Sequence, residues 1–245
     1  MFPIRDINPV RTTPFVNYLI IAGNVAAFFY MISLPPWYVP GYSLVPTRIV
    51  ADPPGEAVTV FTSMFMHANI AHLVGNMWFL WIFGDNVEDA LGHTRYLLFY
   101  AMGGIAAASA QVLMNVASPI PMVGASGAIA AVTGAYMVLY PRAPILIINP
   151  LILMMPLLLF VMGLTLVVPA WLVAGEFFVI NLLTGIQSLH AQARSGMPAG
   201  GVAFFAHLGG FFAGLLLVKP MAAGRERQRH QKWDGWRPPP RARYR

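Results

Sequence analysis

The chain has 245 residues, of which 58% are hydrophobic and only 10% are charged, and its mean hydropathy is +0.64. Soluble globular domains are about 45–50% apolar and about 25% charged, so this composition excludes a water-soluble globular protein and a disordered one. The absence of cysteine also excludes disulfides, thiolate zinc sites and cysteine nucleophiles. We therefore expect a protein whose surface faces lipid.

Six apolar segments have roughly the 20 residues that a transmembrane helix needs. Prolines separate several of them, because Pro35 and Pro36 end the first segment and two prolines within 115–121 divide the third from the fourth. The predicted spans are about 15–34, 69–84, 96–114, 125–140, 170–187 and 202–218. The pattern predicts an all-α membrane protein, a six-helix bundle with both termini in the cytoplasm.

The apolar stretch from about 143 to 169 is harder to interpret, because four prolines interrupt it. We expect an interfacial or re-entrant segment there, followed by the fifth span at about 170. A further full span within this stretch is the alternative.

The distribution of Lys and Arg favours six spans. With a cytoplasmic N-terminus, thirteen of the fifteen fall inside, and only Arg48 and Arg194 fall outside. Nine of the thirteen belong to the stretch from Lys219 to Arg245. We expect a cytoplasmic segment at 1–14, a membrane core at 15–219, and a basic, disordered tail at 220–245 that contacts anionic lipid headgroups rather than nucleic acid.

Four polar side chains fall at one depth in this topology. His72 and Asn76 lie in the first two turns of the second span, Ser126 begins the fourth, and His207 lies about one turn into the sixth. These spans all run from outside to inside, so a rise of about 1.5 Å per residue places the four within roughly the outer third of the bilayer. Polar groups at such positions are costly and usually face a bundle interior or a water-filled cavity.

Each of these residues alone has a purely structural explanation. A serine in a helix often bonds a carbonyl one turn back, and membrane histidines and asparagines often join helices. The surrounding glycines favour a shared site, because Ser126 lies in Gly124-Ala-Ser-Gly127 and the sixth span carries Gly210-xxx-Gly214. Small residues let helices pack closely, which would bring Ser126 and His207 within hydrogen-bonding reach.

The combination of motifs resembles the rhomboid family of intramembrane serine proteases over about 15–219. The motifs that carry the resemblance are His72-xxx-Asn76, Gly124-Ala-Ser-Gly127, Ala206-His-Leu-Gly-Gly210-xxx-Gly214, Phe61-Thr-Ser-Met-Phe-Met-His67 and Gly84-Asp-Asn-Val-Glu88-xxx-Gly92.

The resemblance implies a six-helix rhomboid-type bundle in which Ser126 is the nucleophile and His207 its general base, with no cofactor and no metal. His72 and Asn76 would stabilise the oxyanion, and His67 would order the first loop. The implied substrates are transmembrane or membrane-adjacent segments of other membrane proteins, and we expect those with a destabilised helix in the cell membrane of a prokaryote. The alternatives are a six-helix transporter or channel and a non-catalytic rhomboid-like scaffold.

Two positions depart from the family pattern. Many members carry a Trp-Arg pair where this chain has Val58-Thr59, and an aromatic residue that stacks on the histidine is replaced by Ala130. His207 therefore needs another support. Glu176 is the acid well inside a span, but it lies on the oppositely running fifth helix and deeper, so we expect a dyad without it.

Overall fold

The computed structural model describes residues 1–149, 164–195 and 203–224. Within these residues the chain is mostly helical, as expected. The helices are α1 (Phe15–Ser33), α2 (Pro46–Ala51), α3 (Pro53–Thr62), α4 (Ile70–Leu91), α5 (His93–Met114), α6 (Ser126–Leu139), α7 (Ala170–Ser195) and α8 (Phe204–Ala222). The strands are β1 (Phe2–Asp6), β2 (Pro144–Ile148) and β3 (Thr165–Pro169).

Each of the six predicted spans overlaps one helix of the structure, and these helices are α1, α4, α5, α6, α7 and α8. In the described part of the chain, α1, α5, α7 and α8 are long and apolar enough to cross a membrane. A fifth crossing is counted if 53–65 and α4, which are bent by 81° at the break between them, form one span. The protein is therefore a multi-pass membrane protein, while the count of six crossings and the cytoplasmic termini stay predictions.

Helix α6 is apolar but has only 14 residues. Such a helix is about 21 Å long, which is shorter than the roughly 30 Å hydrocarbon core of a bilayer. An end of α6 is therefore expected to lie below the membrane surface. Ser126 is the first residue of this helix.

A three-stranded antiparallel sheet of order β1-β2-β3 adds to the predicted all-helical fold. Phe2 pairs with Ile148 and Asp6 with Ile145, and β3 pairs along the other edge of β2. The segment that we expected to be interfacial or re-entrant thus begins and ends as strands, and its residues 150–163 lie outside the described residues. Short apolar runs such as β2 cannot be told from buried helix by periodicity, which explains the missed strands.

Helix α6 lies at the centre of the bundle, and the predicted close contact between the fourth and sixth spans is present. A Cβ added at Gly210 would lie 2.0 Å from the carbonyl oxygen of Gly127, and one at Gly214 would lie 2.0 Å from that of Ala131. Only glycine allows α8 to approach the α6 backbone this closely, as small residues do in membrane helix pairs.

Buried acids connect the N-terminal elements to the bundle. Glu88, which is fully buried, accepts hydrogen bonds from the backbone N–H groups of Val16 at 3.0 Å and Asn17 at 2.7 Å, and so satisfies free amides at the start of α1. The carboxylate of Asp6 accepts hydrogen bonds from Asn86 Nδ2 at 2.7 Å and from the Tyr136 hydroxyl at 2.8 Å. Asp6 therefore links β1 to α4 and α6.

At the C-terminal end of the bundle, α8 continues to Ala222, and the rest of the predicted tail, 225–245, lies outside the described residues.

Candidate active site

A sharp turn at Gly124 leads into α6 and delivers Ser126 to the start of the helix. Gly124 has φ +125°, in the region that favours glycine, and its N–H donates to the Ser63 carbonyl at 2.9 Å. The first four N–H groups of a helix have no partner inside the helix and carry the positive end of its dipole. Ser126 therefore lies at the end of the helix where backbone N–H groups lack intrahelical partners.

His72 and Asn76 lie one turn apart on α4 and face this same turn. A Cβ at Gly124 would lie 2.9 Å from His72 Nε2 and 3.6 Å from Asn76 Nδ2. Nδ1 of His72 accepts a hydrogen bond from the Ala68 N–H at 3.4 Å, so the proton of the neutral ring belongs on Nε2. Both side chains thus offer an N–H donor beside the turn that precedes Ser126.

The Asn76 donor has no protein partner. Asn76 is 7% exposed, and its Nδ2 is buried without a hydrogen bond among the described residues. An unpaired buried amide costs free energy, about 1–3 kcal/mol, and such groups in native structures call for an explanation. A bound anionic oxygen would satisfy it.

His207 lies in the first turn of α8 and is held by two residues of α7. Its Nδ1 is 2.6 Å from Asn181 Oδ1, and its ring centroid is 5.7 Å from that of Phe177. The amide of Asn181 is itself oriented, because Asn181 Nδ2 donates to the Phe177 carbonyl at 2.8 Å. Nδ1 of His207 is therefore the donor to Asn181, which leaves Nε2 as the basic atom.

One cavity brings the four predicted site residues together. It has a volume of about 700 Å³. Its lining includes His72, Asn76, Ser126 and His207, together with apolar side chains such as Phe79 and Phe177. Within 1–149, 164–195 and 203–224, no group of three or more acidic or histidine side chains is placed to hold a metal ion.

Comparison with known families places the chain in one of them. The Rhomboid domain family model matches residues 54–223, which is more than half of the chain. The chain belongs to the rhomboid family. Curated rhomboid relatives include Rhomboid protease GluP of Bacillus subtilis, which is 40% identical over 83 residues, covering 34% of this chain and 16% of that protein.

Two mitochondrial rhomboid relatives are also similar. The bovine (Bos taurus) Presenilin-associated rhomboid-like protein is 28% identical over 133 residues, covering 52% of this chain and 35% of that protein. Rhomboid protein 1 of Saccharomyces cerevisiae is 33% identical over 94 residues, covering 37% of this chain and 27% of that protein. The matched region thus spans about a third or less of the length of these rhomboids.

The rhomboid first loop is held here by contacts other than the Trp-Arg pair that the sequence lacks. Arg48 Nε and Nη2 donate to the two carboxylate oxygens of Glu56 at 2.8 and 2.6 Å, and Arg48 Nη1 donates to the Pro40 carbonyl at 2.7 Å. The Thr62 hydroxyl donates to the Tyr42 carbonyl at 2.7 Å. A bidentate Arg–carboxylate pair fixes geometry better than a single contact, so it is a suitable replacement.

His67 lies next to His72. Its ring centroid is 5.2 Å from that of His72, in an edge-on arrangement, and both of its ring nitrogens are buried without a hydrogen-bond partner among the described residues. The contact places His67 behind the His72 ring. Its predicted role in ordering the first loop stays a prediction.

Two supports of His207 were missed by sequence reasoning. Asn181 and Phe177 are spaced i, i+4 on α7 and therefore share one helix face. Glu176, which we expected to take no part in the dyad, contacts the N-terminal amine of Met1. The sequence feature that could have indicated this support is Asn181 itself, an amide in a largely apolar segment and four residues after the aromatic Phe177.

Proposed function

We propose that this rhomboid is an intramembrane serine endopeptidase in which Ser126 and His207 form the catalytic dyad. The observation that carries the proposal is the shared cavity, which Ser126 and His207 line together with His72 and Asn76. A transporter path lined by histidines would not need a serine at the start of a glycine-flanked helix. A non-catalytic scaffold would not need a base with a free Nε2.

The proposed mechanism follows from the roles of these atoms. The Ser126 hydroxyl attacks the scissile carbonyl as its proton moves to His207 Nε2, and His207 then protonates the departing amine. Water hydrolyses the resulting ester with His207 again acting as base. Negative charge on the former carbonyl oxygen is stabilised by His72 Nε2–H, Asn76 Nδ2–H and the backbone N–H groups at the start of α6.

The proposed substrates are transmembrane or membrane-adjacent segments of other membrane proteins. A peptide bond inside an intact helix is shielded and its carbonyl is hydrogen-bonded, so the substrate has to unwind before attack. Segments containing Gly, Pro or Ser unwind at a lower cost, since Gly and Pro lose about 1 and 3 kcal/mol of helix stability relative to Ala. We propose membrane proteins with such a segment as partners, in the cell membrane of a prokaryote, with anionic lipid at the basic tail.

Serine-directed labelling tests the dyad. The purified protein in detergent is treated with a fluorophosphonate probe, and we expect one labelled serine, with labelling lost in Ser126→Ala and reduced at least a hundredfold in His207→Ala. Ser109→Ala, which removes an exposed hydroxyl from α5, is the matched control and retains labelling. Labelling that survives in both dyad variants contradicts the proposal.

Substrate unwinding is tested with tagged single-span reporter proteins in liposomes. We expect a reporter with a Gly-Ala-Ser segment to be cut faster than one in which leucines replace the residues around the scissile bond, because leucine stabilises the helix. The same leucines placed more than two turns away are the control. Equal cleavage rates for all three reporters count against unwinding.

A further inference from the structure

Helix α7 supplies two contacts to the base that the dyad mechanism does not use. Asn181 is 7% exposed and His207 is 9% exposed, so their 2.6 Å hydrogen bond is shielded from water. The Phe177 ring contacts the same imidazole from one turn earlier on α7. The two contacts come from one face of one helix and converge on one side chain.

We propose that Asn181 is a positioning residue that completes a Ser126–His207–Asn181 relay, and that helix α7 thereby sets the protonation form of the base. The inference rests on the proposed function. Asn181 does not touch the reacting atoms; it acts through His207.

The tautomer of the neutral imidazole decides which ring nitrogen of His207 can accept a proton. A neutral ring carries its proton on either nitrogen, and only the form protonated on Nδ1 presents a lone pair at Nε2 to the serine. Asn181 Oδ1 accepts a hydrogen bond and cannot donate one, so it selects this form. The bond from Asn181 Nδ2 to the Phe177 carbonyl prevents the amide from flipping and reversing the selection.

The same bond stabilises the transition state. When His207 takes the serine proton it becomes a cation, and its bond to Asn181 becomes charge-assisted, which makes it roughly twice as strong as a neutral one. An amide provides this acceptor without the cost of burying a carboxylate in an apolar environment. This choice suits a base in a cavity whose described lining contains no acidic side chain.

The position of α7 is fixed at its first turn. The N–H of Ala170 donates to the Ala143 carbonyl at 2.9 Å, and the N–H of Trp171 donates to the Pro141 carbonyl at 3.0 Å. Both carbonyls belong to the segment that connects α6 to β2. Because the start of α7 is bound to the end of the serine-bearing helix, Asn181 is held in a constant relation to Ser126 and His207.

Kinetics of three variants test the relay. Asn181→Leu keeps the side-chain size and removes the acceptor, and Asn181→Asp keeps an acceptor. Thr184→Val is the matched control, because the Thr184 hydroxyl bonds only carbonyls of its own helix. We expect kcat on a Gly-Ala-Ser reporter to fall roughly ten- to a hundredfold in Asn181→Leu with KM within twofold, and Thr184→Val to stay within twofold.

Asn181→Asp distinguishes positioning from simple packing. Its carboxylate stabilises the imidazolium, so we expect kcat to recover at least fivefold relative to Asn181→Leu and the acid limb of the pH–rate profile to move to higher pH. Unchanged kcat in Asn181→Leu overturns the inference. Equal losses in the Leu and Asp variants, with no movement of the acid limb, overturn it as well.

A spectroscopic readout separates failure of this inference from failure of the proposed function. The protein is labelled with ¹⁵N-histidine, and the His207 signals are assigned from the His207→Gln spectrum among the six histidines of the chain. We expect His207 to be protonated on Nδ1 and to become a mixture of tautomers in Asn181→Leu. The same tautomer in both proteins overturns the inference, whatever the result of serine labelling.

Discussion

At the scale of single residues, two buried asparagines differ in how the protein satisfies the hydrogen-bonding groups of their side chains. Asn76 carries a buried donor without a partner in the described part of the chain, whereas Asn181, also buried, uses both ends of its amide. The contrast separates the two asparagines by role. The first is available to a ligand, and the second is committed to orienting a neighbour.

Replacement of Asn76 by leucine therefore has opposite effects on activity and stability. We expect Asn76→Leu to lower kcat about a hundredfold, because it removes one oxyanion donor. The apparent unfolding temperature in detergent is expected to stay equal or rise, because an unsatisfied buried amide is replaced by an apolar group of similar size. A large loss of thermal stability would indicate that Asn76 is mainly structural.

The substitution Gly124→Ala tests whether the turn before Ser126 requires glycine. A methyl group there meets His72 Cε1 at 2.8 Å and needs a left-handed backbone conformation. We expect Gly124→Ala to abolish fluorophosphonate labelling and to destabilise the protein by about 1–3 kcal/mol. Gly175→Ala on α7 is the control, since its Cβ would meet nothing within 4 Å. Normal labelling of Gly124→Ala would show that the turn tolerates the strain.

The candidate site residues could be predicted from sequence because polar side chains are rare in apolar spans. Ser126, His207, His72 and Asn76 are few enough for their common depth to be noticed. The support from Asn181 could not be derived in the same way, because it depends on how α7 rotates and docks against α8.

At the scale of elements, backbone-to-backbone packing brings α6, which carries Ser126, against α8, which carries His207. The carbonyl of Gly127, one residue after the serine, lies where a side chain at Gly210 would be, three residues after the histidine. Small-residue patterns predicted this contact, and apolar length predicted the helices. The sheet was missed because β1 and β2 are far apart in the sequence, with Phe2 pairing to Ile148, and no local pattern encodes such a pairing.

A substitution that pushes α6 and α8 apart tests the packing between these two helices. We expect Gly210→Ala to lower stability by about 1–3 kcal/mol, because its methyl group collides with backbone rather than with a movable side chain. Labelling of Ser126 should fall with it. Gly185→Ala is the matched control, because its Cβ would make ordinary contacts at 3.5 Å or more. Equal unfolding temperatures for the two variants would contradict the close packing.

At the scale of the whole molecule, one partly buried carboxyl joins the sheet to the bundle. Asp6 extends from β1 and is bonded to Asn86 of α4 and Tyr136 of α6. Burial raises the pKa of Asp6 to about 7, and the nearby charge of Asp85 contributes. The protonated form is therefore favoured by folding.

The raised pKa predicts how stability depends on pH. Below about pH 4 the carboxyl is protonated in both the folded and the unfolded protein, so it contributes no pH dependence to stability. As pH rises from about 4 to about 7 the unfolded chain loses its proton first, and the free energy of unfolding therefore falls progressively. We expect the apparent unfolding temperature of the wild type to fall across this range relative to Asp6→Asn, which mimics the protonated form. Parallel pH curves for the two proteins would contradict this assignment.

The order of the strands has a consequence for biosynthesis. β1 precedes α6 in the chain and its hydrogen-bonding partner β2 follows α6, so the two strands can pair only after the helices between them have been synthesised. A chain interrupted before β2 already contains Ser126, His72 and Asn76 but neither His207 nor Asn181. Because the proposed base is absent from such a chain, we expect no labelling of Ser126 by a fluorophosphonate probe before α7 and α8 have been added.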